Sequence, residues 1–370
     1  MKSLFYALFM VLLGSAACRE SANNLKAGSH RPNVLLIMTD DQGYGDLGFT
    51  GNVYIQTPHL DQLAKESAWF TNFYVSPVCA PTRSSIMTGK FSLRTGIYDT
   101  FNGGAMMNTH ETTIAELLRD NGYRTAIFGK WHLGDAYPFR PGDQGFEESL
   151  IHRGGGIGQV GDPSNFYRND SSYFDPVLFH NNKKIKTKGY CSDVFTDGVL
   201  SFIEQKSDDP FFVYLAFNAP HTPLQVPQEW YDKYKNLRFD SAEARQRGML
   251  LLPMNDAEKE NARRVYGMVS NIDDNVGRIM EALRKNGKLD NTLVIFLSDN
   301  GPQNKRYNYG LRALKGDTYE GGVKSPCLLR FPKLFKPGST IPAVAAHIDL
   351  LPTIADLCGT PLPNTMNIDG

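Results

Sequence analysis

The sequence predicts an α/β sandwich with a mostly parallel central sheet flanked by helices. Three observations carry this prediction. Apolar runs of four to seven residues recur without polar alternation, as expected of strands buried on both faces. Amphipathic segments lie between them. Every run ends abruptly in acids, amides, lysine or histidine.

The runs follow in order. Val34 to Met38 ends in Thr39-Asp40-Asp41. Thr125 to Phe128 ends in Gly129-Lys130-Trp131-His132. Phe211 to Phe217 ends in Asn218-Ala219-Pro220-His221, and Leu293 to Leu297 in Ser298-Asp299-Asn300. Helices are expected over Thr113–Asn121, Asp193–Gln205 and Ala257–Asn286. In the last, Val265, Met268, Val269, Ile272, Val276 and Ile279 keep near-helical spacing. A further helical stretch covers Leu350–Cys358. In such folds ligands bind beyond the carboxyl ends of the strands, so the four polar endings are expected to converge on one site. Gly142 to Lys188, rich in Gly, Asn and Asp, reads as a long loop region over that site.

The first residues read as a leader. Met1-Lys2 is basic, and Leu4 to Leu13 is apolar but too short for a mature membrane helix. Gly14-Ser15-Ala16-Ala17 supplies small residues for cleavage. Residues 1–17 are therefore expected to be a lipoprotein-type signal peptide, with Cys18 the candidate lipidation site and 19–30 a polar tether. This implies export to a bacterial periplasm or cell surface, with membrane attachment through Cys18. Residues 31–370 form the expected catalytic domain.

Lys plus Arg equals Asp plus Glu at 39 each, which gives no basic footprint for nucleic acid. Of five cysteines, none forms a C-x-x-C pair. A disulfide among Cys191, Cys327 and Cys358 is compatible with export, though no spacing selects one.

Asp40-Asp41 and Asp299-Asn300 are two oxygen clusters at strand ends. Adjacent carboxylates repel unless a cation neutralises them, and an oxygen donor set favours calcium or magnesium over zinc. Cys79 lies in Ser76-Pro77-Val78-Cys79-Ala80-Pro81-Thr82-Arg83. Pro81 suits the first turn of a helix, whose start would aim N–H groups at an anion, with Arg83 adding a guanidinium. Taken alone, these residues also fit a buried structural cysteine.

Cys79-Ala80-Pro81-Thr82-Arg83 resembles the C-x-P-S/T/C-R signature of the type I, formylglycine-dependent sulfatases. The resemblance extends in order through Asp40 to Gly48, Gly129-Lys130-Trp131-His132-Leu133-Gly134, His221-Thr222-Pro223, Ser298-Asp299-Asn300-Gly301, Lys315 to Gly322 and His347 to Thr353. It implies an alkaline-phosphatase-like fold, and a smaller C-terminal domain that is missing or truncated here. It also implies that Cys79 is oxidised to formylglycine by a maturation enzyme. Asp40, Asp41, Asp299 and Asn300, with position 79, would hold one Ca²⁺ ion.

By the same resemblance, one hydroxyl of the hydrated aldehyde attacks sulfur and the other expels sulfate. His132 is the expected base and His221 the expected acid. Arg83 and Lys130 would support the hydrate and the calcium site, and Lys130 and Lys315 would balance the sulfate's charge. His347 and Asp349 are equally compatible with lining the pocket or with capping. Gly154-Gly155-Gly156 reads as a turn rather than an anion cradle, because no P-loop ending follows.

The implied activity is hydrolysis of sulfate esters, expected on sulfated carbohydrates and on aryl sulfates as surrogates. A phosphodiester or phosphonate monoester hydrolase of the same fold is an alternative. A glycan-binding protein with unmodified Cys79 is another, of a different class.

Overall fold

The computed structural model describes residues 31–101, 103–159, 162, 172–240 and 242–370. The expected signal peptide (1–17), Cys18 and the tether (19–30) lie outside the described residues.

β1 (Asn33–Thr39) occupies the middle of the sheet, parallel to β7 (Phe211–Ala216) on one side and β8 (Thr292–Ser298) on the other. β3 (Arg124–Lys130) pairs parallel with β7, and β4 (Glu148–His152) parallel with β3. β9 (Lys324–Arg330) runs antiparallel between β8 and β2 (Ala68–Tyr74), and β10 (Thr340–Ala346) closes that edge parallel to β2. A hairpin of β5 (Val177–His180) and β6 (Lys183–Lys186) forms the other edge. The order is β10-β2-β9-β8-β1-β7-β3-β4-β5-β6, a mostly parallel sheet of the expected class.

Alternate residues of each central strand enter different cores. Val34, Leu36 and Met38 join Ile295, Leu297, Phe212 and Tyr214 on one face, under the helices Cys79–Thr88, Ile114–Asp120 and Leu350–Leu357. Leu35 and Ile37 join Val294, Phe296, Val213 and Leu215 on the other, under Pro58–Glu66, Cys191–Ile203 and Asp256–Lys285. Each fully buried aliphatic side chain contributes about 2 kcal/mol, so the sheet is fixed from both sides. Two helices start on reciprocal caps, Thr113 with Glu116 and Asn255 with Glu258.

Several expectations need correction. The segment 142–188 is not one long loop. It contributes β4, β5 and β6 to the sheet. The hairpin turn is Asn181-Asn182, both at positive φ (44° and 68°), as a two-residue turn between right-twisted strands requires. Cys79, Cys191, Cys327 and Cys358 are all free and buried, so no disulfide forms among them. Cys191 belongs to one core, and Cys327 and Cys358 to the opposite one.

Candidate active site

The polar endings converge on one sheet edge because the parallel strands all finish there. Thr39 pairs with Ser298, so the acids that follow, Asp40 and Asp299, emerge side by side. The Asp299 amide donates to the Thr39 carbonyl at 3.1 Å. Lys130 ends β3, and His221 follows β7 by a short turn. The helix Cys79–Thr88 enters from the end of β2 and is buried along its whole length. Val78 caps its N-terminus with no side-chain hydrogen bond. Position 79 is therefore the first residue of a helix whose positive end is left to a ligand.

Three carboxylates and three cations interlock there. Lys130 Nζ donates to Asp40 Oδ2 at 2.6 Å, Arg83 Nη2 to Asp299 Oδ2 at 2.7 Å, and Lys315 Nζ pairs with Asp41 Oδ1 at 2.6 Å. Asn300 Nδ2 donates to the same Asp41 oxygen at 2.8 Å. Asp299 Oδ1 accepts the Asp41 amide at 3.2 Å, but the other three groups each keep one oxygen back. Asp40 Oδ1, Asp41 Oδ2 and Asn300 Oδ1 are buried and have no hydrogen-bond partner. Buried acceptors left open in this way call for a cation. Ligand atoms of Asp40, Cys79 and Asp299 lie within 4.8 Å of one another, as do those of Asp40, Asp41 and His221. The donor set is oxygen-rich and suits a hard divalent ion. Asp41 has φ 63°, a strained conformation for a residue with a side chain.

Burial raises the Asp40 carboxyl well above its usual range; the facing Asp299 adds to this, against Lys130. Burial also acts on Asp41, but His221, Lys315 and Asn300 outweigh it and hold that carboxyl down at about 2. Carboxyls crowded together in burial, one of them pushed up by its neighbour, are a setting that a bound cation would relieve.

His132 Nδ1 lies 3.4 Å from Cys79 Sγ, and its Nε2 lies 2.8 Å from the Thr100 carbonyl. That carbonyl can only accept, so Nε2 carries the proton and Nδ1 turns its lone pair to position 79. Burial and the Lys130 charge depress the His132 pKa well below its ordinary value, keeping the ring neutral. On the opposite wall His221 Nδ1 lies 2.5 Å from its neighbour's carbonyl, Thr222 O, leaving Nε2 turned to the site, 3.9 Å from Asp41 Oδ2. Burial lowers His221 to about 4 against the pull of Asp41.

Every residue singled out from the sequence for catalysis or metal binding thus lies in this cluster: Asp40, Asp41, Cys79, Arg83, Lys130, His132, His221, Asp299, Asn300 and Lys315. His347 does not line it. It is buried, with Nε2 3.1 Å from Ser76 Oγ, and Asp349 accepts the Ala346 amide at 2.7 Å as a cap. In Gly154-Gly155-Gly156, Gly155 lies against His132 and Gly156 against His221, while Gly154 faces open space.

Two supports were invisible in the sequence. Thr100 acts through its backbone, which no side-chain pattern reports. Arg306 donates to Asp46 from Nε and Nη2, the latter at 2.6 Å, and to the Asp41 carbonyl at 3.0 Å. Asp46 in turn accepts the Gly43 amide at 2.8 Å. This buried pair ties the loop after β1 to the loop after β8.

The fold is alkaline-phosphatase-like, and the family match puts the chain in the sulfuric ester hydrolase class of enzymes. A sulfatase family model matches residues 32–360, and the chain belongs to the sulfatase family. It is 35% identical to human Arylsulfatase A over 372 aligned residues, covering 92% of this chain and 66% of that protein. It is 27% identical to the N-acetylglucosamine-6-O-sulfatase of Bacteroides thetaiotaomicron, covering 96% of this chain and 72% of the relative. The crystal structure of Ps i-CgsB in complex with k-i-k-neocarrahexaose superimposes with TM-score 0.78 and 34% identity, covering 92% of this chain and 74% of the other.

Proposed function

We propose that this sulfatase removes sulfate from sulfated carbohydrates, using one Ca²⁺ ion and a formylglycine made from Cys79 by a maturation enzyme. The observation that carries the reading is the set of three buried, unpartnered oxygens on Asp40, Asp41 and Asn300 beside Cys79. Asp40, Asp41, Asp299, Asn300 and position 79 would hold the ion. When bound, the ion polarises a sulfate oxygen and the hydrated aldehyde supplies the attacking hydroxyl.

The chain's own groups do the remaining work. His132 Nδ1, fixed by Thr100, takes a proton from the group at position 79. Lys315 and Lys130, each paired to an aspartate, offer positive charge to the sulfate oxygens. Arg83 braces Asp299 and, at 3.8 Å, Asp40. His221 Nε2 is proposed to face the leaving side. With Nδ1–H held by Thr222, the ring takes a second proton from water at Nε2 as the bound anion raises its pKa, and passes that proton to the departing oxygen. A carbohydrate substrate is supported by the named relatives that act on or bind glycans. Residues 1–18 support export to a bacterial periplasm or cell surface, with a lipid on Cys18 as the anchor.

The test is a parallel assay of matured protein on an aryl sulfate, an aryl phosphodiester and a panel of defined sulfated sugars, with and without chelator. Chelator-sensitive sulfate release from the first substrate and from at least one sugar supports the reading. Faster phosphodiester cleavage would replace it with the phosphoester alternative. No turnover with thiol retained at position 79 would favour a binding protein.

A further inference from the structure

The backbone that touches His132 and His221 together is that of Gly155 and Gly156, against the Cε1–Nε2 edge of the first ring and Cε1 of the second. A β-carbon placed on Gly155 would sit 3.1 Å from both Cε1 and Nε2 of His132, and 3.0 Å from Gln159 Oε1. One placed on Gly156 would sit 3.2 Å from His221 Cε1, and 3.0 Å from Cδ and Nε2 of Gln159. Contacts that tight would make Gln159 or the rings give way to a side chain at either position. The glycines thus let the Gln159 carboxamide pack close beside both imidazoles. The chain turns back to allow this, with the Gln159 amide donating to the Gly156 carbonyl at 3.3 Å.

We propose that Gln159 is a specificity residue that hydrogen-bonds the sugar hydroxyl or ring oxygen next to the sulfate ester. The inference rests on the carbohydrate reading given above and names the group that enforces it. A carboxamide neither titrates nor carries charge, so it adds nothing to proton transfer and does not compete with the cation site. It offers one acceptor and two donors, which is what a neighbouring hydroxyl satisfies and an aryl ring does not. Gln159 is exposed, so water solvates it before substrate arrives. A site built to pair with a hydroxyl discriminates against substrates that lack one.

The experiment compares matured wild type with Gln159→Ala, holding calcium in excess, on the best sugar sulfate of the panel and on an aryl sulfate. The expected result is about a tenfold fall in the ratio of kcat/KM for the sugar to kcat/KM for the aryl ester, through a raised KM for the sugar. The melting temperature of the variant checks that the fold is kept. An unchanged ratio, with the wild type active on the sugar, overturns the role of Gln159 and leaves the sulfatase reading standing. A wild type that cleaves the aryl sulfate but no sugar sulfate overturns the carbohydrate reading and this inference with it.

Discussion

His132 Nδ1 stands 3.4 Å from Cys79 Sγ, with the ring's other nitrogen committed to the Thr100 carbonyl. This fixes both the tautomer and the direction of the lone pair. The imidazole can therefore act on position 79 without rearrangement. His132→Ala is expected to lower kcat by about 10²–10⁴-fold, the usual worth of a general base. The calcium-induced rise in melting temperature should survive in the same variant, because His132 supplies no oxygen to the cluster. Measuring both on one preparation separates loss of the base from loss of the site.

Ion binding should stabilise the fold. With calcium at about 100 times its dissociation constant the gain is about 2.7 kcal/mol, or about 5 °C in melting temperature for a domain of this size. Asp41→Asn and Asp299→Asn should remove most of that increment. Thermal scans of chelated and calcium-loaded protein check it.

Arg306 and Asp46 are buried to 1% and 0% side-chain exposure and lie 260 positions apart in sequence. Arg306→Met strands the Asp46 carboxylate, so a loss of about 3–5 kcal/mol is expected. Adding Asp46→Asn should recover part of it, since the stranded charge goes. Urea unfolding of the single and double variants reads both values. Calcium affinity should fall in step, because the pair also holds the Asp41 carbonyl.

The buried His347 ring is neutral in the fold. Burial lowers its pKa from 6.5 to about 4, so between those values the unfolded chain binds more protons than the native one. The stability due to this group is complete above pH 6.5 and is lost as pH falls toward 4. Wild type should lose about 2 kcal/mol more than His347→Gln between pH 7 and pH 5. Equal losses in the two proteins would contradict the assignment.

The sequence reports what side-chain pattern can encode. β1, β3, β7 and β8 were legible because both faces are buried, and their apolar runs break at the site. The helix Asp256–Lys285 was legible from its spacing, to within one residue at each end. β2, β9 and β10 were missed. Trp69, Phe70, Thr71 and Asn72 of β2 are only partly buried, and β10 exposes Thr340, Pro342, Ala343 and Val344, so neither carries an unbroken apolar run. The β5–β6 hairpin carried a readable signal in Asn181-Asn182 that composition obscured. In the site, charged and nucleophilic residues stood out at strand ends. Thr100 was hidden because it works through its carbonyl. The Arg306–Asp46 pair was hidden because partners so far apart meet only after the sheet forms.

The most direct measurement is sulfate release from an aryl sulfate by protein co-produced with a maturation enzyme, compared with Cys79→Ala made the same way. The expected result is chelator-sensitive turnover by the first and none above background by the second, while the alanine variant keeps a reduced calcium-dependent melting shift from the four remaining ligands. Equal sulfate release from the two proteins would contradict the account.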